Sequence, residues 1–462
     1  MQHPPTGLGH QASAIQVLED QAVALHFRGE TRAAENAYSR LLEREPANFR
    51  VLSAFGVLAA QTERHQLAVD LFKRAIAANP REPILFNNLG IAWTNLLRYE
   101  EATACFDHAI SLAPNYADAY SNRGVAQAKR RLVDHALADF DRSIALNPQH
   151  SGAHYHKALT CLLLGDFRRG WPLYEWRKKL PRPAGVPQGM TPVWGGEASL
   201  AGKTLFVHAE QGLGDTIHFC RYAYAAAELA AHVVLGVPAG LCRLLRGLGS
   251  RIEIIDQAVG APSADYQVAL MSLPLALADL VGNMGASEPY LFAERDRIAQ
   301  WHRRIGDHGF KIGVRWITGP GNSGRCFAPS SLRSIARIPG VRLFDLQRTC
   351  DFAQPAELPS DMRWESFGEQ LDSGPDAFID TAAIMNCMDL IITADTATAH
   401  LAGALGRRTW IVLEFVPDWR WMLEGSDTLW YDTARLFRQN RPGDWESLFE
   451  TMQTELLRGR SF

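Results

Sequence analysis

The chain has 462 residues, 47% of them hydrophobic, which is enough for more than one packed domain. Its 47 basic and 50 acidic side chains nearly balance, which argues against binding to nucleic acid or to an anionic membrane surface. The seven cysteines stand singly and no apolar run is long enough to cross a bilayer, so we expect reduced thiols, no metal site, no membrane insertion and a cytoplasmic location.

The first part of the chain is predicted to consist of repeats. Four prolines recur every 34 residues: Pro46, Pro80, Pro114 and Pro148. The same period relates two further columns, Gly56, Gly90 and Gly124, and Phe72, Phe106 and Phe140. Small residues let two helices approach closely, Phe fills the space between units, and proline ends the second helix. This is the tetratricopeptide pattern, which predicts about four helix pairs from near Ile15 and a binding surface.

A degenerate fifth unit follows, at residues 154–179, and ends in Trp171, Tyr174 and Trp176. We interpret it as a capping repeat, because the last unit of a stack must cover an apolar face. The repeats are therefore predicted over residues 1–180. A linker rich in Pro and Gly is predicted over residues 181–203.

Beyond residue 203 the hydrophobic pattern changes to short apolar runs separated by helical stretches. Eight such runs occupy residues 205–209, 232–237, 252–256, 266–271, 311–316, 341–347, 390–395 and 409–414. They predict parallel strands with crossover helices, in two Rossmann-like domains at 204–305 and 306–462. The fold class is thus α + α/β, and ligands are expected at the carboxyl ends of the strands.

The first loop of interest, EQGLGDTIHF, follows the first strand and contains Gln211, Gly212, Gly214 and Asp215. Glycines allow close backbone approach, and the first amides of the following helix can face an anion or a polar oxygen. Asp215 has two interpretations, as the N-cap of that helix or as a chemical group. Spacing alone favours the cap.

The second loop, ITADTATAHLAGALG, places Asp395, Thr396 and Ala397 between a buried strand and a helix that carries His400. The exposed amides and the dipole of a helix N-terminus favour a diphosphate. Asp395 and Thr396 could equally cap the helix, with His400 a satisfied buried histidine. The residues alone leave both interpretations open.

Three segments together resemble a known family: GKTLFVHAEQGLGDTIHFCRYA, ADTATAHLAGALG and FVPDWRWMLEGSDTLWYDTARLFRQ. They resemble bacterial tetratricopeptide proteins with a C-terminal module similar to the heptosyltransferases and, more distantly, to the O-linked N-acetylglucosamine transferases, all of the GT-B fold. The resemblance implies transfer of a sugar from a nucleotide-diphosphate sugar to an acceptor hydroxyl. The C-terminal domain would hold the donor, the repeats would recruit a protein or peptide acceptor, and no metal or other cofactor would be needed.

The resemblance also implies roles for individual residues. Asp215 matches the aspartate regarded as the catalytic base of the heptosyltransferases. The donor diphosphate and nucleotide would be contacted by Asp395, Thr396, Ala397, His400, Gln347, Thr318 and Arg325. Gln211, Gly212 and Gly214 would bring loop backbone close to the acceptor or the donor.

The chain departs from the family pattern in one loop. Related proteins have a polar, charge-rich loop resembling GNPxHxNDxxRS, whereas residues 317–332 read ITGPGNSGRCFAPSSL, with Arg325 as the single charged residue. Either Arg325 and the preceding Arg315 compensate, or the donor differs, or turnover has been lost. The alternative function is therefore a catalytically inactive scaffold that acts through its repeats.

A third class, the dinucleotide-binding enzymes, is disfavoured. The loop EQGLGD is not GxGxxG, and the next strand, HVVLGV, ends without an acidic residue. For Trp419, Trp421 and Trp430 we favour core packing over sugar stacking, because tryptophan buries a large area. Arg420 and Arg438 are placed by sequence near the second domain's loops, without a defined role.

Overall fold

The computed structural model describes residues 8–181, 191–278, 288–317, 323–348 and 360–459. The chain divides into two compact units, Met1–Cys161 with Leu173–Leu180, and Leu162–Pro172 with Pro181–Phe462. The described part of the first unit is helical, and the second contains two parallel sheets. The prediction of a helical N-terminal region followed by an α/β region is confirmed.

The repeats form a regular series of helices, α1 to α10. Their bounds are Leu8–Phe27, Thr31–Arg44, Phe49–Gln61, His65–Ala78, Pro83–Asn95, Tyr99–Leu112, Ala117–Lys129, Val133–Leu146, Ser151–Leu163 and Phe167–Tyr174. From α2 onward, helices two apart in the series begin 34 or fewer residues apart, and the second helices of the pairs keep a spacing of 34 throughout. Each periodic proline follows the second helix of its pair by two residues, as the pattern predicts.

The turn inside each helix pair requires a left-handed residue. The φ angles are positive at one column of the repeat: Gly29 (75°), Glu63 (60°), Leu97 (61°), Arg131 (60°) and Gly165 (76°). Glycine adopts this region without strain, whereas other residues are strained there. The outer two pairs therefore carry the residue that suits the turn, and the inner three do not.

The glycine and phenylalanine columns contact each other. A Cβ added to Gly56, Gly90 or Gly124 would lie 2.7 Å, 2.5 Å and 2.7 Å from the ring 16 residues further on. The rings are those of Phe72, Phe106 and Phe140, each at most 1% exposed. Glycine is thus needed at this column because the phenylalanine ring occupies the space of a side chain.

The first sheet of the second unit has four parallel strands, in the order β3-β2-β1-β4. The strands β1 to β4 are Thr204–His208, His232–Val237, Ile252–Asp256 and Tyr266–Ala269. The helices α11 to α14 are Leu213–Phe219, Tyr222–Leu229, Cys242–Leu245 and Leu273–Ala276. Part of the predicted linker joins this sheet, because Val193 forms a parallel bridge with Gln267 at the edge strand.

The second sheet has six parallel strands in the order β10-β9-β8-β5-β6-β7. The strands β5 to β10 are Phe310–Arg315, Val341–Asp345, Trp364–Ser366, Leu390–Ala394, Thr409–Leu413 and Ala434–Arg438. The helices α15 to α19 are Arg295–Ile305, Arg333–Ala336, Ile379–Asn386, Ala397–Ala404 and Trp445–Arg458. This is the doubly wound order in which the strand sequence reverses between β5 and β8, where ligands of such sheets bind.

The predicted strands agree with β1 to β6, β8 and β9 to within two residues at each end. The strands β7 and β10 were not predicted. β7 has three residues and lies at the sheet edge, and β10 alternates exposed and buried positions over five residues, so neither gives a long apolar run. None of the helices in the described ranges combines the length and the apolar character that a bilayer crossing needs.

Residues 162–172 belong to the second unit, although the repeat pattern assigns them to the fifth pair. The ring of Trp171 meets Trp419 edge-on, with 5.3 Å between centroids, and Phe167 meets Trp430 in the same way at 5.9 Å. Trp419, Trp421 and Trp430 are at most 4% exposed. These tryptophans pack in a core, which is the interpretation that the sequence favoured.

Candidate functional site

The loop after β1 leads into α11 at the carboxyl edge of the first sheet. Gly212 is the N-cap, and its backbone N–H donates to Asp215 Oδ2 at 3.0 Å. Asp215 therefore does cap the first turn of α11, through one of its two oxygens. Gln211 and Gly212 are exposed in this loop.

The loop after β8 leads into α18 at the carboxyl edge of the second sheet. The Thr396 side chain is the N-cap and accepts a hydrogen bond from the Thr398 backbone N–H at 3.1 Å. Asp395, directly after the strand, is 6% exposed. Because Thr396 makes the cap, the Asp395 carboxylate is available for another interaction.

The first turns of α11 and α18 touch each other. A Cβ on Gly214 would lie 3.1 Å from Ala397 Cα, so a side chain at position 214 would press against the backbone of α18. Glycine at 214 thus permits a close approach of the two loops. The structure brings the two sequence-predicted loops together.

Five charged side chains form a chain of alternating charge beside these turns, which we call the ion cluster. Arg420 Nη2 lies 2.5 Å from Asp215 Oδ1, and its Nη1 lies 2.8 Å from Asp418 Oδ1. Arg325 Nη2 lies 3.6 Å from Asp418 Oδ2, and its Nη1 lies 3.1 Å from Asp395 Oδ2. The cluster joins both loops to the turn after β5 and to the turn after β9.

Burial determines the protonation behaviour of the three carboxyls in the ion cluster. Burial raises the pKa of Asp215 above its usual range, although the neighbouring Arg420 opposes this. It also raises the pKa of Asp395, against the opposing effect of Arg325. Burial would raise the pKa of Asp418 as well, but Arg420 and Arg325 together outweigh it and the pKa is lowered. Asp215 and Asp395 are therefore more basic than exposed aspartates.

His400 lies in the core beneath the ion cluster. Its Nδ1 is 3.0 Å from the Tyr431 hydroxyl, which is also 3.1 Å from His218 Nδ1 of α11. A hydroxyl has one proton to donate, so one of these histidines accepts it while the other donates its own Nδ1 proton. The ring of His400 stacks on Trp421, with 5.2 Å between centroids.

Burial lowers the pKa values of His218 and His400 well below the ordinary value, and nearby arginines act in the same direction. Both rings are therefore neutral near pH 7. This placement matches the buried, hydrogen-bonded histidine that the sequence left open. The predicted contact of His400 with a phosphate stays a prediction.

The remaining predicted donor residues lie around β5 and β6. Gln347 Oε1 accepts a hydrogen bond from the Ile317 backbone N–H at 2.9 Å, so its carbonyl braces the ends of two neighbouring strands. Asp345 ends β6, and burial raises its pKa to about 6. Thr318 lies outside the described residues, as does most of the altered loop between 317 and 323.

A GxGxxG spacing does occur in this altered loop, at Gly319, Gly321 and Gly324, and our argument against dinucleotide-binding enzymes did not take it into account. The fingerprint requires a helix directly after the loop. Here the described residues continue as single 3-10 turns, Ser323–Arg325 and Pro329–Leu332, before the four-residue α16. The structural context therefore still disfavours that class.

Two members of the ion cluster had no predicted role. Asp418 caps the 3-10 turn Trp419–Trp421 by accepting from the Arg420 backbone N–H at 3.1 Å. The segment FVPDWRW carries an acidic and a basic residue beside two tryptophans directly after a predicted strand, and this was the available signal. Arg438 donates to the backbone carbonyls of Trp421, Met422, Glu424 and Gly425, and so fixes the loop that follows.

No group of three or more His, Cys, Asp and Glu side chains within the described ranges is arranged to hold a metal ion. The positive groups near the candidate site are Arg325, Arg420 and the first amides of α18. Arginine guanidiniums and helix N-termini are well suited to phosphate oxygens. The arrangement can therefore bind an anion and accept a proton at Asp215.

Comparisons with known proteins identify the helical region. Residues 20–83 match a family model described as tetratricopeptide repeat, and residues 98–130 match one described as TPR repeat. Over 333 residues the chain is 27% identical to protein FlbA of Caulobacter vibrioides, a match that covers 65% of this chain and 54% of FlbA. The chain thus spans about half the length of that relative.

Solved structures with similar folds share little sequence with the chain. The crystal structure of MamA is 20% identical with a TM-score of 0.31, and the match covers 34% of this chain and 92% of MamA. Pseudomonas aeruginosa pilF is 20% identical with a TM-score of 0.35, over 38% of this chain and 80% of that one. YrrB, described as a TPR protein with an unusual peptide-binding site, is 22% identical with a TM-score of 0.30, over 35% of this chain and 84% of its own. With the family models and the helix spacing, the N-terminal region of this chain consists of tetratricopeptide repeats.

Proposed function

We propose that the protein is a GT-B glycosyltransferase that moves a sugar from a nucleotide-diphosphate sugar to an acceptor hydroxyl. The observation that carries the proposal is the contact between the first turns of α11 and α18, with the ion cluster beside them. This contact lies at the carboxyl ends of β1 and β8, and β8 is one of the two strands between which the order of the second sheet reverses. Doubly wound sheets bind their ligands at that point.

The donor diphosphate would lie at the N-terminus of α18. The backbone amides after Asp395 and the Arg325 guanidinium would contact its oxygens and stabilise the charge that develops as it leaves. Gln347 and Asp345, at the end of β6, would lie on the nucleoside side. The α18 helix has eight residues, so its dipole and free amides act together at this end.

The acceptor hydroxyl would react beside Asp215. As its oxygen forms a bond to the anomeric carbon, the bond from that carbon to the phosphate oxygen breaks, and the electron pair leaves with the nucleoside diphosphate. The hydroxyl proton passes to Asp215. A carboxylate whose pKa is raised by burial is a stronger base than an exposed one, which suits this step.

Calorimetric titration of the full chain with UDP, GDP, ADP and CDP tests donor binding. At least one nucleotide should bind, and Arg325→Ala should weaken it by about tenfold or more, since charge-assisted hydrogen bonds are about twice as strong as neutral ones. Arg435→Ala is the matched control, because its ion pair with Glu455 is 45% exposed at the arginine and lies on β10 and α19. Flat titrations with all four nucleotides would contradict the proposal.

Transfer itself is tested by Asp215→Asn. The amide keeps the size of the carboxyl but cannot take up the proton, so we expect transfer to be abolished with donor affinity nearly unchanged. The measurement is mass spectrometry of candidate acceptor proteins after incubation with a donor panel. Unchanged turnover in Asp215→Asn would remove this residue as the base.

A second candidate function is a catalytically inactive scaffold. The observation that favours it is that the chain's own carboxylates already pair with Arg325 and Arg420. In that case the repeats, which form protein-binding surfaces, would carry the function. The same nucleotide titrations separate the two candidates, because a scaffold with a vestigial site would give no binding.

A further inference from the structure

Asp395 is a buried carboxylate with an incomplete set of hydrogen bonds. It is 6% exposed, and among the described residues its Oδ2 accepts no hydrogen bond. Arg325 Nη1 lies 3.1 Å from this oxygen, so charge attracts the two groups, but the N–H is not aligned for a hydrogen bond. A buried polar atom without a hydrogen-bond partner is rare and requires an explanation.

The charges that face Asp395 come from every element packed around it. Arg325 belongs to the turn after β5, and Asp418 and Arg420 belong to the turn after β9. Asp215 of α11 shares Arg420 with Asp418. On the helix that follows Asp395, the buried His400 is neutral and adds no charge.

The ion cluster therefore holds three carboxyls and two guanidiniums, an excess of one negative charge when all are ionised. Glu414, at the end of β9, adds a further acidic group near Arg325. A nucleotide-diphosphate sugar would bring two more negative charges to the same place. Burying like charges together is unfavourable, and a carboxyl in that situation responds by taking up a proton.

Asp395 is the member of the ion cluster best placed to take up this proton. Asp418 accepts from both arginines and is held in its charged form, and one oxygen of Asp215 is used by the Gly212 amide. Asp395 Oδ2 has a vacant acceptor position beside the first turn of α18. A proton there would convert an acceptor that repels phosphate into a donor that can bind it.

We propose that binding of a nucleotide-diphosphate sugar is coupled to uptake of one proton by Asp395, whose protonated Oδ2 then donates a hydrogen bond to a phosphate oxygen. This inference rests on the proposed donor site. It makes donor binding tighter as the pH falls, by up to tenfold per pH unit between the pKa of Asp395 in the free protein and that in the complex.

The test is calorimetry with UDP-glucose, GDP-mannose and ADP-glucose at pH 7, in buffers that differ in their enthalpy of ionisation. The phosphates of such diesters have no proton to exchange near neutral pH, so any linked proton comes from the protein. We expect uptake of about 0.5 to 1 proton for each ligand bound, since the linked count equals the change in protons bound. Binding without proton uptake would overturn the inference and leave the proposed function intact. Binding by none of the three sugars would instead count against the proposed function.

Substitutions locate the proton. Asp395→Asn supplies a permanent N–H donor without charge, so its binding should lose the pH dependence and stay within about threefold of the wild type at its best pH. Asp395→Ala, which has no donor, should bind at least tenfold more weakly. Asp215→Asn should keep the proton uptake of the wild type. If Asp215→Asn loses the uptake, or Asp395→Asn keeps it, the proton is not on Asp395.

Discussion

In the repeats, the residues that pack together are close in sequence, whereas in the α/β unit they come from distant segments. Gly90 contacts Phe106, 16 residues further on, and the same pair recurs one period before and one period after. The ion cluster joins the neighbourhoods of β1, β5, β8 and β9, and its members lie as much as 205 residues apart.

The difference lies in what each region buries. The repeat columns bury small and aromatic side chains whose size decides the packing, and one clash is repeated along the stack. The α/β unit buries opposite charges whose pairing decides the cost of burial. Size should therefore determine the effect of a mutation in the repeats, and charge balance should determine it at the ion cluster.

The largest expected effect is at the centre of the ion cluster. Arg420→Ala leaves Asp215 and Asp418 buried without their shared partner, and breaking such a pair lowers the free energy of unfolding by about 3–5 kcal/mol. Urea unfolding followed by tryptophan fluorescence measures it, since Trp419, Trp421 and Trp430 lie beside the cluster. Arg435→Ala, a loss of an exposed pair, should change stability by about 0–1 kcal/mol. Similar losses in the two variants would show that buried charge is not what distinguishes this region.

Asp345 tests the same idea through pH. Burial raises its pKa in the folded protein to about 6, above that of the unfolded chain, so the folded state holds the proton more tightly. The stability from this group is present below about pH 4 and is lost as the pH rises through 6, on the order of 2–3 kcal/mol. Asp345→Asn should therefore gain stability relative to the wild type between pH 4 and pH 7. Asp361→Asn is the exposed control, and an equal gain there would contradict the prediction.

The sequence predicted these two regions to different depths for the same physical reason. A repeat presents each packing decision several times, so the columns of Gly90 and Phe106 were evident before the structure. At the ion cluster, Asp215 and Asp395 were found because glycine loops and strand ends mark them. Asp418 was not found, because a cap of a single 3-10 turn gives the same signal in many loops.

Partners across the fold could not be found by spacing at all. Tyr431 lies 31 residues from His400 and 213 residues from His218, and no sequence rule links a hydroxyl to two histidines at such separations. Arg325 was proposed because it was the single charge in its loop, yet its pairing with Asp395 depends on the order of strands in the sheet. Strand order is a property of the whole domain, so local patterns do not determine it.

In the repeats, a change of one methyl group should have a measurable effect. Gly90→Ala places a Cβ 2.5 Å from the Phe106 ring, and such overpacking costs about 1–3 kcal/mol. Hydrogen exchange of peptides from α5 and α6 measures the loss locally. Adding Phe106→Leu to Gly90→Ala should restore part of it. Gly247→Ala is the control, because a Cβ there meets nothing within 4 Å. Equal protection in Gly90→Ala and the wild type would mean that the column is not set by size.

The smallest effect concerns the backbone of the turns. Leu97 is 62% exposed at a φ of 61°, so Leu97→Gly removes left-handed strain of about 1–2 kcal/mol while adding about 0.5–1 kcal/mol of unfolded-chain entropy. A net gain of about 0.5 kcal/mol is expected, read as a higher melting temperature of the helical signal. Leu112→Gly, the same change inside α6, should lower stability instead. Because Gly29 and Gly165 already occupy this column, Glu63→Gly and Arg131→Gly should also stabilise. A loss at all three positions would show that neighbouring contacts outweigh the backbone, so that the 34-residue period governs packing but not the turns.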